Sequence, residues 1–446
     1  MMRLLLRSRS PAGLPADSPV LRALERKSRR HLDQESLLKM PVCPKEQPLT
    51  HSHPRPGEAL EGQPRTLDPA ALRAPEAGKT VDEETLAALF RSPLFARSCQ
   101  EPFLRSMAEW FPGRAQAFSA PTVASVARHL ARHRLRETRL LDALADFLLQ
   151  RIQSLDTKMV QRLVFPFGRL DYRPSNHLEL FPRLVGSLGQ AGRSPSPLAT
   201  LNVLLSLCQL QFWPPDALLQ RVFSPAFLAD VTGSPCGAIA RRYLSLLDTA
   251  MALEVPGYEG PRLDPRFCVR MFDGALTADD ANRKYSFKGL VGEGLQCLVG
   301  RDRFQQDAVV PPGYGVDFLL RVSSSSGQVL PLGGPTKAVA ERETPEKKGP
   351  CILGVFPEGS TTEGTMQNKH PLEEDQSHRL VLSVNDKWHY CRNSGVLVGS
   401  RSMRMRHLRL LGFRLLQLPY WELERLHGLE ETRQYLHRKL KEEAQP

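Results

Sequence analysis

Apolar residues recur at helical spacing from about residue 81 to 256, then give way to short alternating runs toward the C-terminus. Leu86, Leu89 and Phe90 open the helical stretch at core spacing. Between Pro121 and Arg136, the residues Val123, Val126, Ala127 and Leu130 can share a core face. Arg128, Arg132 and Arg136 follow i, i+4, i+8 spacing on the other side, flanked by His129 and His133. A loose repeat runs through this region: His133-Arg-Leu135, Gly168-Arg-Leu170, Cys208-Gln-Leu210 and Ala252-Leu253. Its leucines stand 35, 40 and 43 residues apart by number. Each follows an apolar helix, and three of the four precede a proline that stops it. Such periods belong to stacked helix pairs, although a non-repetitive helical bundle is also compatible with the imperfect spacing.

Beyond residue 256 the pattern changes. A helix is expected near Asn282 to Leu298, and Val316 to Val322 reads as a strand. Residues 323–378 are rich in Ser, Gly, Pro, Glu, Lys and Thr, a loop or linker composition. If Val316 to Val322 joins the C-terminal sheet, that stretch is a long loop inside one domain. From residue 380 to 438 the runs predict strand, strand, helix, strand, helix. The first strand ends in Trp388-His389-Tyr390, the second covers Val396 to Ser400, and the helix covers Ser402 to Leu411.

Charge sharpens the reading. The chain carries 60 Lys and Arg against 48 Asp and Glu, a net charge of +12, which favours a polyanion or an anionic surface as partner. From Lys387 to Trp421 there is no acid at all. Lys387, Arg392, Arg401, Arg404, Arg406, Arg409 and Arg414 fall in this stretch. The eight cysteines form no C-x-x-C pair, which leaves a zinc ribbon or finger without local support; no metal site and no cofactor is expected. The longest apolar run, Pro197 to Leu210, is broken by Thr200, Asn202 and Ser206, so no membrane insertion is expected. Residues 1–40 begin with Arg3, Arg7 and Arg9 among leucines and serines, without an acid before Asp17. That is the composition of a mitochondrial transit peptide, and equally of a basic tail. The proline-rich residues 41–80 read as a linker.

The C-terminal segment resembles the RAP domain, an RNA-associated module. The resemblance rests on Trp388-His389-Tyr390, the Leu411-Gly412-Phe413 turn and Leu418-Pro419-Tyr420-Trp421-Glu422. Upstream, Arg128 to Glu137, Phe165 to Leu170, Arg241 to Thr249 and Val310 to Tyr314 resemble the Fas-activated serine/threonine kinase (FASTK) family. The resemblance implies an α-helical-repeat (solenoid-like) domain over 81–256 and a second FAST-type region with a strand over 257–322. A small α/β RAP domain over 379–440 follows, similar to the PD-(D/E)XK nuclease fold. It also implies mitochondrial transcripts as RNA partners, RNA-processing proteins as further partners, and residence in the mitochondrion, with a nuclear or cytoplasmic form open.

Nuclease chemistry of that fold needs two carboxylates on a divalent ion and a lysine beside the water. Asp317 supplies one carboxylate position. Aligned on His389, the second strand places Ser383 and Asn385 where RAP domains carry acids, and Asp386, one residue out of register, is expected to point away. The site therefore reads as degenerate. Kinase chemistry finds no support: Phe272-Asp273-Gly274 is not D-F-G, Gly289 to Gly294 is not G-x-G-x-x-G, and His133-Arg134-Leu135 lacks the aspartate. No catalytic residue is assigned. The expected RNA contacts are Arg128, Arg132, Arg136, Lys387, Trp388, His389, Arg392, Arg401, Arg404, Arg406, Arg409 and Arg414. Trp388, Tyr390, Tyr420 and Trp421 sit where they can stack on bases or fill a core. The expected function is non-catalytic RNA binding that controls mRNA processing or stability, with a protein-interaction scaffold as the competing class.

Overall fold

The computed structural model describes residues 81–189, 196–269, 283–332 and 377–444. The leader, the proline-rich segment, Phe272-Asp273-Gly274 and most of 323–378 lie outside the described residues. The helical part is built in two layers. Helices α1 (Glu83–Arg91), α4 (Ala120–His133), α6 (Thr157–Arg169), α8 (Pro197–Gln209) and α11 (Gly237–Glu254) pack in succession. Helices α3 (Glu101–Trp110), α5 (Thr138–Arg151) and α7 (His177–Gly189) back them, with α2 (Pro93–Arg97), α9 (Asp216–Val222) and α10 (Pro225–Thr232) filling corners. One apolar core runs through both layers, and Val123, Val126, Ala127 and Leu130 are all fully buried in it.

The repeat is real, but its register differs from the leucine spacing. Helices α4, α6 and α8 each end in a left-handed residue, at Arg134, Asp171 and Gln211. The amide of the following residue donates back to a carbonyl five positions earlier: Leu135 to Leu130, Tyr172 to Phe167, Phe212 to Leu207. Leu135, Tyr172 and Phe212 are therefore equivalent, 37 and 40 residues apart by number. Backbone hydrogen bonding sets this equivalence, and the side chain that fills the position varies.

The C-terminal half builds a mixed sheet in the order β1 (Phe304–Val310), β2 (Tyr314–Ser323), β4 (Ser377–Asn385), β5 (Arg414–Pro419), with β3 (Val329–Leu330) also on β2. β1, β2 and β4 are antiparallel neighbours. β4 and β5 are parallel, joined through α13 (Gly399–Leu410). The strand over Val316–Val322 thus joins the C-terminal sheet, and 323–378 connects two neighbouring strands. The second expected strand, Val396–Ser400, does not form: Tyr390 and Leu397 make a single bridge, and Gly399 already starts α13.

Leu380, Leu382 and Val384 face one side of the sheet. There they meet Val291 and Leu295 of α12 (Lys288–Val299) and Tyr435 and Leu436 of α15 (Leu429–Ala444). Gly294 permits the α12–α15 contact, since a Cβ there would lie 2.9 Å from Leu436. Gly289 to Gly294 thus lie in a helix and form no phosphate loop, and Gly292 and Gly294 are its buried glycines. Val381 faces the other side, toward Met403, Met405 and Leu408 of α13. The same cluster contains Leu205 of α8 and Leu246 of α11. α13 is therefore a middle layer, covered by the sheet on one side and by the helical layers on the other.

That position demands close approach. A Cβ on Gly399 would lie 1.8 Å from the Gly168 carbonyl, and one on Gly168 would lie 2.8 Å from Ser206. The backbone of α13 can enter over α6 only without a side chain at Gly399, and α6 can lie this close to α8 only without one at Gly168. Gly399→Ala is expected to lower stability by about 1–3 kcal/mol, read as a drop in thermal midpoint. Gly395→Ala, which meets open space, is expected to leave the midpoint unchanged.

Candidate nucleic-acid interface

Two carboxylates organise the middle layer, Asp317 half-buried and Glu254 with its side chain buried. Asp317 on β2 accepts from Arg401 at 3.0 Å, from the Val384 amide at 3.0 Å and from Lys288 at 3.2 Å, with Arg404 at 3.8 Å. Burial works to raise its carboxyl. The charges of Arg401, Arg404 and Lys288, with His389, outweigh burial and hold it below its ordinary value. Arg401 also donates to Asn385 Oδ1 at 3.0 Å, Ser383 Oγ at 3.1 Å and the Val384 carbonyl at 3.0 Å. The strand positions expected to lack acids thus face Asp317 across a guanidinium.

Asp386 does not point away. It lies beyond the end of β4, where strand alternation no longer applies, and caps the turn Lys387–His389. Its carboxylate accepts from Ser286 Oγ at 2.5 Å and the Phe287 amide at 3.1 Å, at the entry to α12. Burial, with the nearby Asp317 charge, pushes its carboxyl up to about 6 against those hydrogen bonds and Arg401. The His389 ring is buried and its Nδ1 accepts from the Asp386 amide at 2.9 Å. Two acids therefore stand near His389 in space, although none clusters beside it in the predicted strand.

Glu254, the last residue of α11, forms the second centre. Arg406 reaches it at 3.1 Å and His407 Nε2 at 2.6 Å, while His407 Nδ1 meets the Tyr314 hydroxyl. Arg406 also donates to the Cys208 and Gln209 carbonyls at 3.3 Å each, at the negative end of α8. Similar contacts tie down the neighbouring helix ends. Arg392 N–H donates to the Arg134 carbonyl at 2.7 Å, Cys391 Sγ lies 3.7 Å from the Leu170 carbonyl, and Ser402 bonds Asp171 at 2.8 Å.

This geometry divides the expected RNA contacts. His389, Arg401 and Arg404 are buried and Arg406 is half-buried; these arginines are spent on Asp317, Glu254 and helix carbonyls. Their expected presentation to solvent is corrected on that ground: these positions of α13 face the sheet or the helical layers, and only its ends, at Ser400 and Arg409, are exposed. Arg136 also leaves the predicted stripe. α4 stops at His133, and the Arg136 amide bonds Asn393 Oδ1 at 2.8 Å while its guanidinium lies 5.1 Å from the centre of the Tyr172 ring. His129 is buried against Phe90 and Phe95.

Arg128, Arg132, Lys387, Arg392, Arg409 and Arg414 are exposed. Arg162 of α6, which the sequence reading missed, joins Arg128 and Arg132: their like charges, after burial, depress the Arg128 guanidinium. Its signal was an exposed position opposite the buried Val160, Leu163 and Val164. At the junction, Arg134 donates to the Tyr390 carbonyl at 3.1 Å. Tyr390 sits 4.6 Å from Trp421 and 5.8 Å from Tyr420 between ring centres, and the Lys387 amine lies 5.7 Å from the Tyr420 ring. Trp421 is partly exposed and Trp388 half-buried. Exposed Lys387 and Arg392 therefore stand beside an aromatic cluster, open at Trp421, where the RAP segment meets the end of α4.

The Asp317 site is unsuited to a divalent ion. Arg401, Arg404 and Lys288 stand against one carboxylate, and a metal there would add charge to an already cationic centre. Among the described residues no helix is long and apolar enough to cross a membrane.

The two acids have opposite pH signatures. Asp317, depressed from 3.8, contributes stability above that value and loses it as pH falls through the folded value. Asp386, raised from 3.8 to about 6, binds its proton more tightly when folded, so its contribution declines as pH rises between those values. In thermal melts, Asp386→Asn is expected to flatten the loss of stability between pH 4 and pH 6, a loss of about 1–2 kcal/mol once solvent screening is allowed for. Glu254→Ala strands Arg406 and is expected to cost about 3–5 kcal/mol by denaturant unfolding.

Comparison with known proteins follows the same division. Residues 160–232 match the model of FAST kinase-like protein, subdomain 1, residues 241–331 match subdomain 2, and residues 382–439 match the RAP domain. The chain is 42% identical over 382 residues to the Fas-activated serine/threonine kinase of Mus musculus, covering 86% of this chain and 70% of that protein. It is 27% identical to the FAST kinase domain-containing protein 3, mitochondrial, of Rattus norvegicus, over 73% of this chain and 44% of the relative. For the FAST kinase domain-containing protein 1, mitochondrial, of Mus musculus the identity is 26%, over 67% and 34%. The chain thus spans less than half the length of these last two relatives. With helical layers, a shared sheet and a RAP segment arranged in that order, the chain belongs to the Fas-activated serine/threonine kinase family.

Proposed function

We propose that this protein binds single-stranded RNA and controls its processing or stability without cleaving it, and that mitochondrial transcripts are its substrates. The observation that carries the reading is the junction. Exposed Arg128, Arg132 and Arg162 stand together on two neighbouring helices, and exposed Lys387 and Arg392 bracket Tyr390 of an aromatic cluster whose Trp421 reaches solvent, the combination that holds a phosphate backbone and stacks its bases. The RAP match supports an RNA-related role. The mitochondrial names of the relatives, together with the Arg- and Ser-rich leader, support the compartment.

Nuclease and kinase readings are weaker on chemical grounds. The Asp317 carboxylate is neutralised by arginine, and Gly289 to Gly294 lie in a helix. A scaffold for RNA-processing proteins would use the same helical layers, but it gives no role to the exposed arginines.

The test is RNA binding by the full chain at two salt concentrations, with Mg²⁺ or Mn²⁺ present in parallel. About six phosphate contacts would give a log–log salt slope near −4. Arg128→Glu, Arg132→Glu and Arg162→Glu together are expected to make that slope shallower by about 2 and to weaken binding at low salt. An unchanged slope with unchanged affinity would favour the scaffold, and metal-dependent cleavage lost in Asp317→Ala would overturn the non-catalytic reading.

A further inference from the structure

The pocket at the C-terminal ends of the parallel strands β4 and β5 is lined by Tyr390, Leu397, Ser402, Gln417, Trp421 and Glu422. We infer that it is a reading pocket for one unpaired guanine base of the bound RNA, a step that rests on the proposed RNA binding and specifies it.

The polar groups of the pocket are held from behind. Asp317 fixes Arg401, and Arg401 Nε donates to Asn385 Oδ1, which turns the Asn385 amide nitrogen toward β5. That nitrogen donates to Gln417 Oε1 at 3.2 Å. That bond orients the Gln417 amide, so that its oxygen is engaged at β4 and its Nε2 donors are left for the pocket. Glu422 is held in the same way: Tyr435 Oη at 2.8 Å and Lys439 Nζ at 3.0 Å both use Oε2, and among the described residues these are its partners. Oε1 remains to accept.

A ligand must therefore bring a flat face for the partly exposed Trp421, which Tyr390 backs, an acceptor for Gln417 and donors for Glu422. Guanine presents an acceptor at O6 beside adjacent donors at N1 and N2. Adenine, cytosine and uracil each present a single donor site on that edge. Lys387, over the Tyr420 ring, lies on the adjoining turn to receive the phosphate. The buried ion-pair cluster thereby has a function: it is a positioning device for Gln417.

The experiment measures affinity of the full chain for uridine pentamers carrying a single central guanosine, adenosine or cytidine, with tryptophan quenching as a second readout. The guanosine pentamer is expected to bind about tenfold more tightly than the all-uridine one. Gln417→Glu keeps the acceptor for Asn385 and loses the donor, so it is expected to erase the preference, bringing the guanosine and all-uridine pentamers to within twofold of each other. Trp421→Ala is expected to weaken the guanosine pentamer about tenfold or more, and Trp421→Phe to remove most of the quenching while retaining the preference. Binding without base preference, or a preference that Gln417→Glu leaves intact, overturns the pocket while the RNA-binding reading stands. Preference for another base overturns the assignment to guanine. Absence of RNA binding overturns both readings.

Discussion

The architecture depends on one helix with charge partners on both sides. Arg401 and Arg406 are about 140° apart around α13, so one points to the sheet and the other to the helical layers. Asp317 receives the first and Glu254 the second. Each carboxylate is buried or half-buried, so each needs its cation, and the cations need the carboxylates. The sheet, α13 and the helix ends are thereby committed to one arrangement. Gly168 and Gly399 set how closely α6, α8 and α13 approach.

The same arrangement explains the uses of the basic residues. A net charge of +12 invites a reading in which every arginine waits for phosphate. Part of that charge instead serves helix C-termini: Arg169 donates to the Ala131 carbonyl, Arg173 to Leu210 and Arg221 to Leu188. These carbonyls carry the negative end of a helix dipole, and a neighbouring helix supplies the cation. Others pair with acids at the surface, as Arg105 does with Glu101, Arg139 with Glu109 and Arg183 with Glu179, while Arg128, Arg132 and Arg162 stand exposed on α4 and α6. Fewer cations are therefore available to a polyanion than composition suggests.

Legibility in the sequence followed the range of the physics involved. The apolar face of α4, the strand β2, the helix α13 and the strand β5 were readable, since each rests on local periodicity. The Val396–Ser400 strand was misread because a short apolar run has no period of its own, and Gly399 begins a helix there. Asp386 was misplaced by extending strand alternation one residue past the strand. Arg136 was assigned to a helix face that ends at His133, and Arg162 was overlooked because its partners are on another helix. The candidate site was half visible: Lys387, Arg392 and the aromatic residues could be named, but the Arg401–Asn385–Gln417 relay could not.

By itself the sequence determined a helical region followed by a mixed one with the strands β2, β4 and β5, the excess of positive charge, and a region from Lys387 to Trp421 without a single acid. Hydrophobic periodicity and composition act over neighbours a few residues apart, so they survive in one dimension. Which cations are structural was decided only by the tertiary structure. Desolvation depends on what covers a side chain from every direction, and α13 is covered on one face by strands and on the other by helices more than a hundred residues earlier in the chain. An arginine opposite a buried carboxylate becomes part of the core, whereas one facing water keeps its charge available for a ligand.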